Sequence, residues 1–136
     1  MIDCSLTGII VSGTGKAALF TQLDWVVEQC LEKLGFIPSP GTLNIDISPQ
    51  DIARLEDCLS GEVIELQPPG PENCSARIIP AALEDIQAAI IIPDAQVRVH
   101  GDTIIELLAP VRVKEALKKK DGDRVTVTMT NSISKR

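Results

Sequence analysis

Pro40-Gly41-Thr42-Leu43-Asn44-Ile45-Asp46-Ile47 is the stretch on which the reading of this chain turns. Proline and glycine bend the backbone, and Leu43, Ile45 and Ile47 then alternate with polar residues. That is the pattern of a loop entering a half-buried strand. Thr42 and Asn44 stand two apart at the strand's mouth, which places both side chains on one face. A hydroxyl and an amide oxygen side by side are hard, neutral ligands of the kind Mg²⁺ takes beside phosphate oxygens. On spacing alone they also read as ordinary turn and strand-end residues, so the neighbouring segments have to decide.

Upstream, Leu6–Val11 reads as a first strand running into the glycine-rich loop Ser12-Gly13-Thr14-Gly15-Lys16. The loop does not match the P-loop pattern. That pattern needs a glycine five residues before Gly15 and a Ser or Thr after Lys16, where Ile10 and Ala17 stand. No helical pattern opens directly behind it, as a dinucleotide fingerprint requires. Taken alone, the two glycines and the lysine mark a hairpin turn, with Ala18–Leu23 as the returning strand. Asp24 is the expected N-cap of a helix from Trp25 to Leu34, in which Trp25, Val26, Cys30, Leu31 and Leu34 recur at helical spacing. Gly35 ends that helix and Phe36 folds back on its last turn.

Downstream, Ser48 and Pro49 open a short helix expected to reach Leu59 and close at Gly61. Strands are expected at Glu62–Gln67, Ser75–Ile79, Ala88–Ile92, Val97–Val99 and Ile104–Leu108, with Pro68-Pro69-Gly70-Pro71 as an exposed loop. Glu106 is the one charge inside Ile104–Leu108, so it faces solvent, a partner or a ligand. A helix over Val111–Lys119 and a turn at Asp121-Gly122-Asp123 lead to a last strand, Arg124–Met129, with Val125, Val127 and Met129 on one face. Thr130–Arg136 reads as a polar, frayed tail. Many short strands, few helices and frequent turns predict a mainly β protein with short helices, a small β-barrel with inserted helices. Residues 1–136 are long enough for one domain with a hydrophobic core.

Composition excludes several classes. Hydrophobic residues make up 44% of the chain, too many for disorder. No apolar run reaches the roughly 18 residues that span a bilayer, and Met1-Ile2-Asp3-Cys4 lacks the basic start of a signal peptide. The expected location is the cytoplasm, with no membrane partner. Nineteen acidic against 13 basic residues give a net charge of −6, which argues against nucleic acid as a partner. Lys114, Lys118, Lys119 and Lys120 read as the solvated end of a short helix. Cys4, Cys30, Cys58 and Cys74 form no close pair, and the single His100 completes no zinc site. With Phe20, Trp25 and Phe36 the only aromatics, a large flat ring finds few stacking partners.

Several segments in this order resemble the archaeal-type CTP-dependent riboflavin kinases, which are built on a six-stranded cradle-loop β-barrel. They are Gly8 with Val11-Ser12-Gly13-Thr14-Gly15, Leu34-Gly35-Phe36 with Pro40-Gly41-Thr42-Leu43-Asn44, and Arg77-Ile78-Ile79-Pro80. The last are Ile104-Ile105-Glu106-Leu107-Leu108-Ala109-Pro110 and Lys119-Lys120-Asp121-Gly122-Asp123-Arg124-Val125. The resemblance covers nearly the whole chain and is most specific over Leu34–Asn44. It implies that Thr42 and Asn44 hold Mg²⁺. It further implies that Thr14, Gly15, Lys16, Ala17, Ala18 and Leu19 wrap CTP, together with Val111, Arg112, Val113 and Lys114. Glu106 would contact the flavin, with Arg98 or alternatively Gln96 at the second flavin position. The implied reaction moves the γ-phosphoryl group of CTP to the riboflavin 5′-hydroxyl, giving FMN.

The chain departs from the family's usual pattern at four places. Ala17 stands for a glycine, Leu19 for an aromatic, Arg98 for a threonine, and Lys114 for an arginine, with Arg112 nearby as a substitute. Those changes keep a second reading open: a nucleotide- or ligand-binding barrel that has lost the kinase reaction or phosphorylates a different small alcohol. A DNA-binding barrel is the third, and the acidic charge weighs against it.

Overall fold

The computed structural model describes residues 2–13, 21–53, 64–70, 76–93 and 104–131. In chain order the elements are β1 (Ile2–Val11), α1 (Asp24–Leu34), β2 (Leu43–Ile47), β3 (Ile64–Leu66), β4 (Ala76–Leu83), β5 (Ile86–Pro93), β6 (Ile104–Leu108), α2 (Val113–Leu117) and β7 (Arg124–Asn131). Residues 49–53 are helical as well.

Strand β1 is long enough to serve two neighbours. It pairs with β7 from Ile2↔Asn131 to Ile9↔Arg124 and with β2 from Gly8↔Ile47 to Val11↔Asn44, both antiparallel. β6 lies beside β2, β5 beside β6, and β4 beside β5. The ring closes where β4 meets β7 at Ala82↔Thr128 and Leu83↔Val127. Six strands, in the order β4-β5-β6-β2-β1-β7, therefore form the barrel. The seventh, β3, pairs only with the opening residues of β4, Ala76 to Ile78, on the edge that β7 uses further along. Pro80 falls between those two pairings, the place on that edge where a missing N–H costs no ladder bond.

Alternation along the strands sorts the residues into two cores. Leu6, Ile10, Ile45, Ile90, Leu107 and Val127 point into the barrel and are all but sealed from solvent. Removing each such side chain from water contributes about 1.5–3 kcal/mol. A second cluster lies outside the ring, where α1 lays Val26 and Cys30 on Ile78, Ala89 and Leu108. Burial pushes the Cys30 thiol up to about 11, so it acts as a packed apolar group. Gln29 completes this layer by exchanging two hydrogen bonds with the backbone of Gln67, at 2.7 and 2.8 Å, just past the end of β3.

Several boundaries differ from the sequence reading. Thr21 is helical and Gln22 and Leu23 form a turn and a bend, so Thr21–Leu23 is not strand, and the rest of the expected returning strand lies outside the described residues. Leu23, not Asp24, is the N-cap of α1: its carbonyl accepts from Val26 and Val27, and Asp24 sits in the first turn, where its charge favours the helix N-terminus. α2 is shorter than expected because Lys118 turns left-handed at φ 57°. β4 continues past Ile79 to Leu83. β7 runs through Thr130 and Asn131 because β1 pairs with them, which corrects the expectation of fraying there. The cap at Ser48 is as expected, its hydroxyl accepting from Asp51 N–H at 3.1 Å. The expected strand at Val97–Val99 lies outside the described residues.

Candidate functional site

The bend at Pro40-Gly41 is held from both sides. Gly41 has φ 89°, a conformation that suits a residue without Cβ. Its N–H donates to Thr21 Oγ1 at 3.0 Å, and Thr21 is fully buried. Ser39 N–H donates to the Ala109 carbonyl at 2.7 Å, tying the same loop to the end of β6. From this anchored bend β2 sends Leu43, Ile45 and Ile47 inward and leaves Asn44 half-buried on the outer face.

Register then assembles the first group. Asn44 is the cross-strand partner of Glu106, whose neighbours Ile105 and Leu107 point into the barrel. Thr42 Oγ1 donates to Glu106 Oε1 at 2.9 Å. Thr42, Asn44 and Glu106 thus share one outer face, drawn from two adjacent strands. A third segment presses on them: Asn44 is also the register partner of Val11, and its amide packs against Gly13. A Cβ on Gly13 would collide with Asn44 Nδ2 and stand 2.9 Å from its Cγ.

A second group hangs from the residue before Gly13. Ser12 Oγ donates to Asp121 Oδ2, and Lys114 Nζ lies 2.6 Å from Asp121 Oδ1. The Lys114 ammonium and the Ser12 hydroxyl together hold the Asp121 carboxyl below the usual carboxylate range. The dipeptide Ser12-Gly13 therefore joins two clusters, Thr42/Asn44/Glu106 on one side and Asp121/Lys114 on the other.

The remaining expected site residues divide by position. Val111 and Arg112 are exposed, and Arg112 is paired with Glu115 at 3.7 Å. Val113 packs into the barrel core, so its side chain does not face a ligand. Thr14, Gly15, Lys16, Ala17, Ala18, Leu19, Gln96 and Arg98 lie outside the described residues. Sequence reading missed Thr21, which it assigned to a strand, and the link of Asp121 to Lys114 and Ser12. A turn was legible at Asp121, but nothing in its spacing pointed to a serine 109 positions away.

The donor set suits Mg²⁺. Among the described residues no group of three or more His, Cys, Asp or Glu side chains gathers for a metal. Thr42 and Asn44 are neutral oxygen donors, and Mg²⁺ is commonly bound by few protein ligands with phosphate and water completing the octahedron. Because the Thr42 proton is committed to Glu106, its oxygen keeps lone pairs for a cation. Glu106 adds one carboxylate beside the pair.

Comparison with known proteins gives a consistent result. A family model labelled CTP-dep_RFKase, described as a domain of unknown function (DUF120), matches residues 10–129. The chain is 37% identical over 135 residues to a riboflavin kinase of Pyrobaculum islandicum, covering 93% of this chain and 61% of that protein. It is 36% identical over 126 residues to a riboflavin kinase of Ignicoccus hospitalis, covering 90% and 69% respectively. A riboflavin kinase of Methanosarcina mazei is 34% identical over 128 residues, with 91% of this chain and 56% of that one covered. The chain thus spans little more than half to about two thirds of the length of these relatives. With residues 10–129 matched and the six-stranded ring in place, the chain belongs to the CTP-dep_RFKase family.

Proposed function

We propose that this chain is a riboflavin kinase domain, formed by residues 1–136, that uses CTP and Mg²⁺ to make FMN. The observation that carries the reading is the hydrogen bond from Thr42 to Glu106 at 2.9 Å, with Asn44 in register beside it. It places two hard neutral donors and one carboxylate on a single face at the root of a glycine-rich segment. The names of the relatives supply the substrate, and the family label supplies the nucleotide.

In this reading the riboflavin 5′-oxygen forms a bond to the γ-phosphorus of CTP. The bond from that phosphorus to the β–γ bridging oxygen breaks, CDP departs, and the hydroxyl proton leaves to solvent or a nearby acceptor. Phosphoryl transfer of this kind depends on positioning and charge neutralisation more than on covalent participation by the protein. Mg²⁺, when bound, supplies charge for the phosphate oxygens. Thr42 and Asn44 fix where it sits, and Glu106 orients the Thr42 hydroxyl and offers an acceptor on the flavin side. Lys114 and the exposed residues Val111 and Arg112 supply donors for the nucleotide, together with Val113 and Thr14–Leu19. Arg98, or Gln96, is the second residue on the flavin side.

The test is FMN formation from riboflavin, CTP and Mg²⁺, followed chromatographically, with ATP expected to be a poor donor. Replacing Thr42 and Asn44 together with alanine is expected to lower turnover by at least about 100-fold, the scale of a lost electrostatic contact in a transition state, while the circular dichroism spectrum stays native. Full activity in that double variant would remove the metal assignment. CTP binding by wild type without any FMN would favour the binding-barrel reading instead.

A further inference from the structure

Asp121 has no role in the reaction as described above, yet three segments meet at its carboxylate. Its turn is fastened to the end of β1 through the backbone: Gly122 N–H donates to Ile10 O at 2.8 Å, and Ile10 N–H donates to Asp123 O at 2.9 Å. From that fixed base one carboxylate oxygen takes the Lys114 ammonium at 2.6 Å and the other takes the Ser12 hydroxyl. Ser12 leads directly into Gly13, which is pressed on Asn44.

As a stabilising device this ion pair is worth little, because both side chains are nearly half exposed, at 45% and 44%. Its consequence is positional. A lysine on a five-residue helix has a flexible four-carbon stem, and fixing it on a ligand costs rotamer entropy unless something has already ordered it. An ammonium has three N–H donors, so one given to Asp121 leaves two for phosphate oxygens.

We propose that Asp121 is a positioning residue, holding the Lys114 ammonium at the root of the glycine-rich loop so that it meets the nucleotide polyphosphate already oriented. The inference rests on the kinase reading given above and extends it to a residue that never touches the substrate.

A double-mutant cycle with Asp121→Asn and Lys114→Met tests it, with KM for CTP, KM for riboflavin and kcat measured for each variant alongside CTP binding by calorimetry. Asp121→Asn is expected to raise the CTP KM about five-fold, with kcat and the riboflavin KM within about two-fold of wild type. In the Lys114→Met background the same change adds less than about two-fold, because residues acting through one contact are not additive. Asp121→Ser, which also lacks the charge, gives the same split, so an unexpected loss of folding in one variant leaves the other decisive. An unchanged or lowered CTP KM in both Asp121 variants overturns the proposal, since a carboxylate that only repels phosphate would do the latter. Fully multiplicative effects in the cycle overturn it as well. If wild type binds no CTP, the kinase reading falls and this inference with it. If wild type binds CTP and both Asp121 variants bind it equally well, only the positioning role falls.

Discussion

Asn44 lays its amide against the bare Cα of Gly13, and this contact couples the glycine-rich segment to the proposed metal pair through packing. Gly13→Ala is therefore a sharper probe of the site than a change to either ligand. The new methyl has to displace Asn44, whose side chain is the flexible partner, at a cost of about 1–3 kcal/mol in overpacking. The Mg²⁺ concentration for half-maximal FMN formation is expected to rise about ten-fold, equivalent to ~1.4 kcal/mol. A magnesium titration of the variant checks this, and an unchanged requirement would separate Gly13 from the metal pair. Thr21 makes the complementary point about legibility. Its hydroxyl holds Gly41, one residue before Thr42, but a threonine in an apolar stretch carries no sequence signal of such a contact.

Among the elements, the β4–β5 hairpin shows how a local feature serves a distant pairing. Leu83↔Ile86 leaves a two-residue turn, Glu84-Asp85, with Glu84 at φ 56°, a conformation that is strained for a residue with a Cβ. Glu84 faces β7, its N–H donating to Thr126 O at 2.9 Å and its carboxylate accepting Thr126 N–H at 3.0 Å. These two bonds extend the β4–β7 closure by one residue beyond Leu83↔Val127. Glu84→Ala loses the charge-assisted bond and keeps the strain, so it is expected to cost about 1–3 kcal/mol in a urea melt. A melt like that of wild type would show that the closure does not depend on this bond. The helix ends were easier to read: Gly35 stops α1 at φ 86°, and Ser48 caps the next turn, because both signals act within one turn of chain. The start of α1 carries no such signal, because its N-cap Leu23 makes no side-chain capping bond and supplies only a backbone carbonyl, which every residue has.

For the molecule as a whole, barrel closure puts residues from all six ring strands into one interior, so its stability is shared. Leu107→Ala, at a fully buried position on β6, is expected to cost about 2–5 kcal/mol and to lower the midpoint of a single unfolding transition. Fluorescence of Trp25, outside the ring, and circular dichroism of the strands should move together, and separate transitions would show that the α1 layer unfolds apart from the barrel. The family resemblance singled out Thr42, Asn44 and Glu106, and the local pattern of the sequence determined the mainly β class, most strand positions and the inward face of β2 and β7. It could do so because alternation, turn residues and caps act between neighbours a few residues apart. Only the tertiary structure decided that β4 and β7 close the ring, that Glu106 faces Thr42, that Gly13 seats Asn44, and that Asp121 holds Lys114 and Ser12. Each of these depends on register between strands far apart in the chain. Alternation rules out a one-residue slip, which would send every outward side chain inward, but it fixes neither which strands pair nor their register in steps of two.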